Sequence, residues 1–249
     1  MESPMSGSKR VERMASGQKP DPNAVYRLKV TLRGSKPPIW RRLQVSAGMT
    51  LNSLDQVLQI VMGWQQLYAY EFDDGLFWYG QDFTDDFGEF VPGGEDDTKT
   101  RLCDVIAAEK DRFRYNYRLD PITLEGVWQL DIQLEQILPG SDELRIPRCL
   151  EGSRAAPPED HFGGIKDYEG CLLSFRDAKD PRQAEAREIL GDDFDPDAFK
   201  LEEINGRLAR FDSFQRQPEL WQRESSEVLL DGPPPAGGRW VYGTRSRKR

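Results

Sequence analysis

The segment from Tyr26 to Gly80 constrains the fold most, because strand and helix patterns follow one another there in close succession. Apolar and polar residues alternate from Tyr26 to Arg33, the period of two expected of a strand with one buried face. After Pro37-Pro38, residues 39–45 indicate a second strand that returns as a hairpin partner. Two antiparallel strands next to a helical segment predict an α+β arrangement.

A helix is predicted between Thr50 and Gly63. Threonine is a common N-cap residue, and glycine readily ends a helix in the left-handed conformation. The apolar residues between them form one stripe at helical spacing: Leu51, Leu54, Val57, Leu58, Val61 and Met62. We expect this helix to pack on the sheet. Two short strands, residues 68–72 and 77–80, are predicted on either side of the Asp74-Gly75 turn.

The second half of the chain adds a long hairpin and then helices. Residues 112–119 and 128–135 both alternate apolar and polar side chains, which predicts a strand pair. Helices are predicted near 181–190 and 196–212, because an Asp-Pro pair precedes each and proline suits the first helical position. The predicted fold class is therefore α+β, a mainly antiparallel sheet of hairpins with one amphipathic helix packed on it, followed by a C-terminal helical segment.

Composition divides the chain into four segments. Residues 1–24 combine basic side chains with Ser, Gly and Pro, which predicts a flexible N-terminal arm. Residues 25–140 form the α+β core, and residues 141–215 add a Pro/Gly-rich turn and the C-terminal helices of the same domain. Residues 216–249 are predicted to be an extension that ends in a basic tail.

Charge and cysteine usage limit the environment of the protein. The net charge of −9 opposes nucleic-acid binding at long range, although a local basic patch can override the mean. The cysteines, Cys103, Cys149 and Cys171, are odd in number and widely spaced, which favours reduced thiols. No apolar run approaches the roughly 20 residues of a membrane span. We therefore expect a cytoplasmic protein with no membrane contact.

An ordered set of motifs resembles a known family. The set comprises PPIWRRLQV, TLNSLDQVLQIVMGW, YEFDDGLFWYG, RFRYNYRL before VWQLDIQLE, PRCLEGSRAAPPEDHFGG, DYEG and GDDFDPDAFKLEEIN. In this order and spacing it resembles the plasmid pRiA4b open-reading-frame-three-like family over about residues 25–209. The resemblance implies an α+β domain found in many bacteria, often on plasmids and mobile elements. It implies no defined reaction, since a fold does not specify a function.

The chain departs from the pattern of this family at chemically important positions. The pattern carries histidine at four places where this chain has Asp55, Tyr68, Tyr70 and Leu130. It also carries a cysteine after PPED, where this chain has His161-Phe162. A carboxylate, two phenols and an isobutyl group cannot do the metal or general-base work of an imidazole set. The resemblance therefore implies a divergent, non-catalytic member.

Two sets of potential metal ligands do not have the sequence spacing of known metal sites. His161, Asp160, Cys149 and Cys171 are suitable zinc ligand types, but their intervals match no short ligand pair. The aspartates at 193, 195 and 197 resemble the start of a calcium loop that lacks the later glycine and glutamate. We therefore predict no metal and no cofactor. The acidic run within residues 81–98 either holds a cation weakly, mimics a phosphate backbone or is a solvated loop.

An arginine and aromatic surface is predicted around the first helix and its neighbouring strands. Such residues are typical of interaction hot spots and of base-stacking platforms, although aromatic residues on amphipathic strands are often core. Two adjacent arginines on a strand face opposite sides, so the inward one would need a carboxylate such as Glu71. The candidate binding residues are Trp40, Arg41, Arg42, Trp64, Tyr68, Tyr70 and Trp78.

The basic C-terminal tail is a second candidate binding segment. Its cations would hold a phosphate backbone while its aromatic residues stack on bases. The alternative is a solvated tail, which is common at chain ends. The residues concerned are Trp240, Tyr242, Arg245, Arg247, Lys248 and Arg249.

Two functions are compatible with these patterns. The preferred hypothesis is a non-catalytic interaction protein of a mobile element or its host, which binds an unknown protein partner and touches nucleic acid through basic tails. The alternative is a hydrolase or nuclease-like enzyme. Carboxylates converging in a pocket with raised pKa values would favour the enzyme, whereas an open aromatic and arginine-lined surface would favour binding. The enzyme would use Asp55, Glu71, Glu159, Asp160 and His161.

Overall fold

The computed structural model describes residues 7–17, 19–80, 94–119, 126–141 and 144–216. The helices are α1 (Gly7–Ser16), α2 (Leu51–Met62), α3 (Leu102–Val105), α4 (Ile165–Arg176), α5 (Gln183–Leu190) and α6 (Leu201–Arg216). The strands are β1 (Val25–Leu32), β2 (Trp40–Ser46), β3 (Tyr70–Asp73), β4 (Trp78–Gly80), β5 (Gly94–Asp96), β6 (Arg112–Leu119), β7 (Gly126–Leu138) and β8 (Arg148–Ser153).

Within these residues, eight strands form one mixed sheet in the order β5-β4-β3-β6-β7-β1-β2-β8. Strands β4 and β5 are parallel, and the other neighbours pair antiparallel. The two predicted hairpins are confirmed: Val30 lies opposite Arg41 between β1 and β2, and Phe113 lies opposite Ile132 between β6 and β7. The predicted α+β fold class is confirmed.

The sheet has two chemically different faces because side chains alternate along each strand. The first face is apolar and lies in the core, with Leu28 and Val30 of β1 beside Leu130 and Ile132 of β7. Helix α2 packs with these residues, and Phe211 of α6 belongs to the same core. The second face, here called the polar face, carries the charged and amide side chains that alternate with this core. A sheet with one buried and one solvated face is the usual antiparallel arrangement.

Helix α2 begins and ends as the sequence predicts. The Thr50 side chain accepts a hydrogen bond from the Ser53 N–H at 3.2 Å, and Gly63 has the left-handed φ of 76° that favours glycine. The helix is buried well beyond its apolar stripe, since Asp55 and Gln59 are also buried. These polar side chains therefore need partners inside the protein.

The later helices begin further along the chain than the Asp-Pro pairs predict. Helix α5 starts at Gln183 because the Asp180 carboxylate accepts from the Arg182 N–H at 2.8 Å and holds a turn first. In the same way, the Asp195 carboxylate accepts from the Asp197 N–H at 2.9 Å, and α6 starts only at Leu201. Strands β5 and β8 and helices α1 and α4 have no counterpart in the predicted elements.

Residues 7–16 form a helix rather than part of a flexible arm. Its basic side chains bind carboxylates of the folded body: Lys9 to Asp111 at 2.7 Å and Arg10 to Glu95 at 2.7 Å. The Arg10 guanidinium also donates to the Tyr79 hydroxyl at 2.8 Å. A helix this short is marginal by itself, so these contacts stabilise it.

Several predicted features lie outside the described residues. They are the tail residues Trp240, Tyr242, Arg245, Arg247, Lys248 and Arg249 and most of the acidic run, residues 81–93. In the part of the chain that the structure describes, no helix is long and apolar enough to cross a membrane.

Candidate functional site

A buried hydrogen-bond network joins α2 to β6 at the centre of the core face. The Asp55 carboxylate accepts from the Tyr115 hydroxyl at 2.5 Å. The Gln59 amide, one helical turn after Asp55, donates to the same hydroxyl at 2.6 Å, and the Gln66 amide donates to the second Asp55 oxygen at 3.3 Å. Helical spacing of four residues places Asp55 and Gln59 side by side over the tyrosine.

The network continues toward the sheet edge through Tyr70. The Asn52 amide donates to the Tyr70 hydroxyl at 3.0 Å, and that hydroxyl donates to Asp97 at 2.6 Å. The Tyr70 and Tyr115 rings are 5.7 Å apart. The second Asp97 oxygen is buried and has no hydrogen-bond partner within the described residues. We call this set the tyrosine–carboxylate cluster: Asn52, Asp55, Gln59, Gln66, Tyr70, Asp97 and Tyr115.

Burial governs the protonation of this cluster. Removal from water raises the pKa of Asp55 to about 7, and the hydrogen bonds from Tyr115 and Gln59 oppose that rise. Burial likewise raises the pKa of Asp97 and of Tyr70. Asp55 can therefore gain or lose a proton near neutral pH, whereas the phenols stay protonated. Chemically, the cluster can hold and exchange a proton at Asp55.

A second buried carboxylate, Glu159, holds a loop in place. It accepts from the backbone N–H groups of Gln65 at 2.7 Å and Leu67 at 2.8 Å, and from the Tyr117 hydroxyl. These donors come from the segment that follows α2 and from β6. Because both Glu159 oxygens already accept hydrogen bonds, this carboxylate has a structural role.

Aromatic residues enclose the PPED turn, residues 157–160. The Trp64 ring stacks on Tyr117 at 5.0 Å between centroids, and Trp128 lies 6.3 Å from Trp64. Their indole N–H groups donate to the Pro157 and Glu159 carbonyls, each at 3.0 Å. The turn is thus fixed against the core face.

The residues of the enzyme alternative lie in separate places. Asp55 belongs to the tyrosine–carboxylate cluster and Glu159 to the PPED turn. Glu71 alternates with Tyr70 and therefore lies on the polar face, where it accepts from the Asn116 amide at 2.9 Å. Asp160 and His161 lie at the protein surface, 3.4 Å apart. The five do not form one site.

The metal-ligating types are also separate. In the described ranges, no three His, Cys, Asp or Glu side chains come close enough to hold an ion. Cys149 is buried, and its thiol donates to the Glu151 carbonyl at 3.5 Å. All three cysteines are free thiols.

Arg41 points into the core, as one of the two adjacent arginines must, but its partner is not Glu71. Its guanidinium donates to the backbone carbonyls of Val61, Trp40 and Ser153 at 2.9, 2.8 and 3.0 Å. Burial lowers the pKa of Arg41 to about 10. The expected carboxylate is thus replaced by carbonyls, including one at the C-terminal end of α2, where a cation is favourable.

The other predicted binding residues are divided between the two faces. Trp64 is buried, and Tyr68 and Tyr70 are half-buried on the core side. Arg42 and Trp78 lie on the polar face, where Arg42 is paired with Glu135 at 2.6 Å and Trp78 is 43% exposed. The predicted surface therefore does not exist as one patch.

The polar face is a surface that the sequence reasoning missed as a unit. The signal was present, because the polar positions of the alternating strands are rich in arginine, but strand order was needed to join them. Asp73 and Asp131 lie near Arg114, each at 3.8 Å. The face comprises Arg27, Lys29, Thr31, Trp40, Arg42, Gln44, Glu71, Asp73, Trp78, Arg112, Arg114, Asn116, Gln129, Asp131, Gln133, Glu135, Arg148 and Glu151.

The described residues form an α+β protein with one mixed sheet of eight strands. The model of the plasmid pRiA4b ORF-3-like protein family matches residues 24–203. The chain belongs to this family.

Two similar proteins support this assignment. The "Uncharacterized protein y4hQ" of Sinorhizobium fredii (strain NBRC 101917 / NGR234) is 30% identical over 190 residues, covering 73% of this chain and 89% of that protein. The crystal structure of a protein of unknown function, MM3350 from Methanosarcina mazei Go1, has a TM-score of 0.62 and 31% identity. The match covers 72% of this chain and 97% of the MM3350 chain.

Asp55, Tyr68, Tyr70 and Leu130, the expected departures from the family pattern, lie in one region of this structure. Asp55 and Tyr70 belong to the tyrosine–carboxylate cluster, and Leu130 lies directly opposite Tyr115 between β6 and β7. Tyr68 lies nearby, with its ring 6.1 Å from that of Tyr117.

Proposed function

We propose that this family member is a non-catalytic interaction protein of a mobile element or its host, which binds a protein or a nucleic acid. The observation that carries the proposal is the polar face, an open, arginine-rich surface with Trp40 and Trp78 on an acidic chain. Arginine and tryptophan are enriched at binding hot spots because they combine large contact area with directional hydrogen bonds.

The placement of the carboxylates supports a role without catalysis. Glu159 is engaged by two backbone N–H groups and a hydroxyl. Glu71 lies on the face opposite Asp55, and the Asp160 and His161 pair is at the surface. A general acid and base act on a substrate only when both reach it, so a divided set favours binding over turnover.

The basic C-terminal tail extends the proposal to nucleic acid. The terminal residues Trp240, Arg245, Arg247, Lys248 and Arg249 combine an aromatic ring with four cations. Contacts of cations with phosphates release counterions, so a tail contribution should depend steeply on salt. We assign this tail an auxiliary, non-specific role beside the folded surface.

Affinity capture from extracts of the native host tests the proposal. Tagged full-length protein should retain a specific partner, with matched captures from nuclease-treated and untreated extracts to separate protein from nucleic acid. Deleting residues 232–249 should reduce the nuclease-sensitive binding in this capture and make that binding depend less steeply on salt concentration. Substituting Lys166, an exposed residue of α4, by alanine serves as the control. A capture that retains nothing above an unrelated tagged protein would contradict the proposal.

One observation favours the alternative, an enzyme. Asp55 has a pKa of about 7, a value suited to general acid–base work at neutral pH. If that interpretation is correct, Asp55→Asn should abolish a hydrolase or nuclease-like turnover while urea unfolding shows an intact fold. Asp160→Asn tests the PPED turn in the same assay. A turnover that survives both substitutions would exclude these carboxylates.

A further inference from the structure

We propose that the polar face is a binding surface for single-stranded nucleic acid, with phosphates on its unpaired cations and bases on its tryptophans. The inference rests on the proposed function, since it names the partner class of the folded surface. It concerns the sheet and not the tails.

Four cations of the polar face have no carboxylate partner within the described residues. They are Arg27, Lys29, Arg112 and Arg148. Arg112 and Arg148 donate to the amide oxygens of Gln133 and Gln44 on neighbouring strands. Guanidinium donors without a carboxylate keep bonds available for phosphate oxygens.

Four of the five acidic residues of the face lie around two other arginines, and the fifth, Glu71, accepts from the Asn116 amide. Glu135 and Glu151 pair with Arg42, and Asp73 and Asp131 lie near Arg114. The hydrogen bond from Arg42 lowers the pKa of Glu135, and Glu135 is also close enough to Lys29 and Arg27 for their charges to lower it. Positive charge among the described residues of the face is therefore least compensated at Arg112 and Arg148. A surface with this pattern attracts an anionic chain to defined points.

Strand register places these cations at intervals across the sheet. Arg112, Gln133, Lys29 and Arg42 lie opposite one another on β6, β7, β1 and β2. Because adjacent strands are about 4.8 Å apart, Arg112 and Lys29 are separated by about 10 Å. Arg27 lies two residues before Lys29 on the same face of β1. The cations are therefore spread widely enough across the sheet to contact successive phosphates of one strand.

A neighbouring row of paired residues crosses the sheet, and tryptophans lie near its two ends. This row runs through Trp78, Asp73, Arg114, Asp131, Thr31 and Trp40. Lys29 and Arg42 lie over the Trp40 ring at 5.4 and 5.2 Å. The five strand intervals span about 24 Å, enough for a short run of nucleotides.

This surface suits a single strand better than a duplex or an acidic protein. A broad sheet does not enter a duplex groove, whereas unpaired bases can stack on exposed aromatic side chains. The balanced charge around Arg42 and Arg114 does not match the dense charge of duplex DNA. An acidic protein would use the cations but would have no bases for Trp40 and Trp78.

Fluorescence anisotropy with labelled oligothymidylate and oligouridylate of about 12 nucleotides tests the proposal on the full-length chain. Trp40→Ala should weaken binding by about 5- to 100-fold, the range for loss of one base stack. The double variant Arg27→Ala/Arg112→Ala should reduce the slope of log affinity against log salt by about 0.7 for each phosphate that the removed cations no longer neutralise. Thermal unfolding establishes that each variant is folded.

Matched controls use exposed residues on α4, away from the sheet. Leu173→Ala removes an exposed apolar side chain and Lys166→Ala an exposed cation, and neither should change affinity or salt slope. Comparing oligothymidylate with oligouridylate shows whether the surface prefers DNA or RNA. Binding of either strand supports the proposal.

The inference is overturned if the strands bind with equal affinity to the wild type, Trp40→Ala and the double variant, because the binding site then lies elsewhere, as in the tails. It is also overturned if the full chain binds no strand, or if polyglutamate competes and binds through the same face. In these cases a partner recovered by affinity capture still upholds the proposed function, so the two failures are distinguishable.

Discussion

Replacing Glu159 by glutamine should lower the free energy of unfolding by about 2 to 4 kcal/mol. Three donors point at the carboxylate: the N–H groups of Gln65 and Leu67, at 2.7 and 2.8 Å, and the Tyr117 hydroxyl. A hydrogen bond to a charged group contributes roughly 1.5 to 3 kcal/mol. Glutamine keeps one oxygen, which can serve Leu67 and Tyr117, but it turns an NH₂ group toward the Gln65 N–H. One hydrogen bond is removed and two donors then face each other.

Urea unfolding followed by tryptophan fluorescence measures this destabilisation, because Trp64 and Trp128 pack against the PPED turn. The midpoint should fall with an unchanged m-value, and Tm should fall by about 5 to 15 °C, from 2 to 4 °C per kcal/mol at this chain length. Asp160→Asn is the matched control and should change stability by less than about 0.5 kcal/mol. If Glu159→Gln and the control unfold at the same midpoint, the hydrogen bonds of Glu159 do not hold the turn.

Three further perturbations test other parts of the structure. The pKa of Asp55 is raised to about 7 in the folded state, so its contribution to stability is complete below about pH 4 and is lost as pH rises through 7. Asp55→Asn should remove the fall of the urea midpoint between about pH 4 and pH 7, and an unchanged slope would refute the assignment. Arg41→Met should cost about 2 to 4 kcal/mol by leaving three carbonyls unpaired, against about 1 kcal/mol for Arg42→Met, both measured by urea unfolding. Equal costs would count against the buried role of Arg41. Arg10→Ala should detach α1, which hydrogen exchange would detect as reduced protection in residues 7–16; protection equal to that of the wild type would contradict it.

The parts of the fold that the sequence predicts are those with one buried and one polar side. Strands β1, β6 and β7 alternate because the sheet has a core face and a polar face, and α2 has recognisable residues at both ends. Strand β8 was missed because its six residues, RCLEGS, bury only Cys149 fully. Helix α1 was missed because its stability comes from carboxylates distant in sequence, such as Asp111, which no local pattern reveals.

The candidate site was only partly predictable. Asp55 and Tyr70 were identified as departures from the family pattern, but Gln59, Asp97 and Tyr115 were not. The apolar stripe of α2 suggests that its other side is solvated, whereas residues of α6 such as Phe211 join the same core and help enclose the helix. A signal for this burial does exist in the sequence: LNSLDQVLQIVM contains a single charged residue, Asp55, which is unusual for a solvated helix face.

The same network bears on the choice between binding and catalysis. At Asp55 the carboxylate interacts with Tyr115, Gln59 and Gln66, and all of these partners belong to the protein. A general base must instead reach a proton on a bound substrate. Transfer from Asp55 would require the cluster to open and break hydrogen bonds formed in the core. The polar face lies on the solvated side of the sheet, where Trp78 is 43% exposed. Accessibility, more than pKa, is therefore the ground on which we propose the binding function.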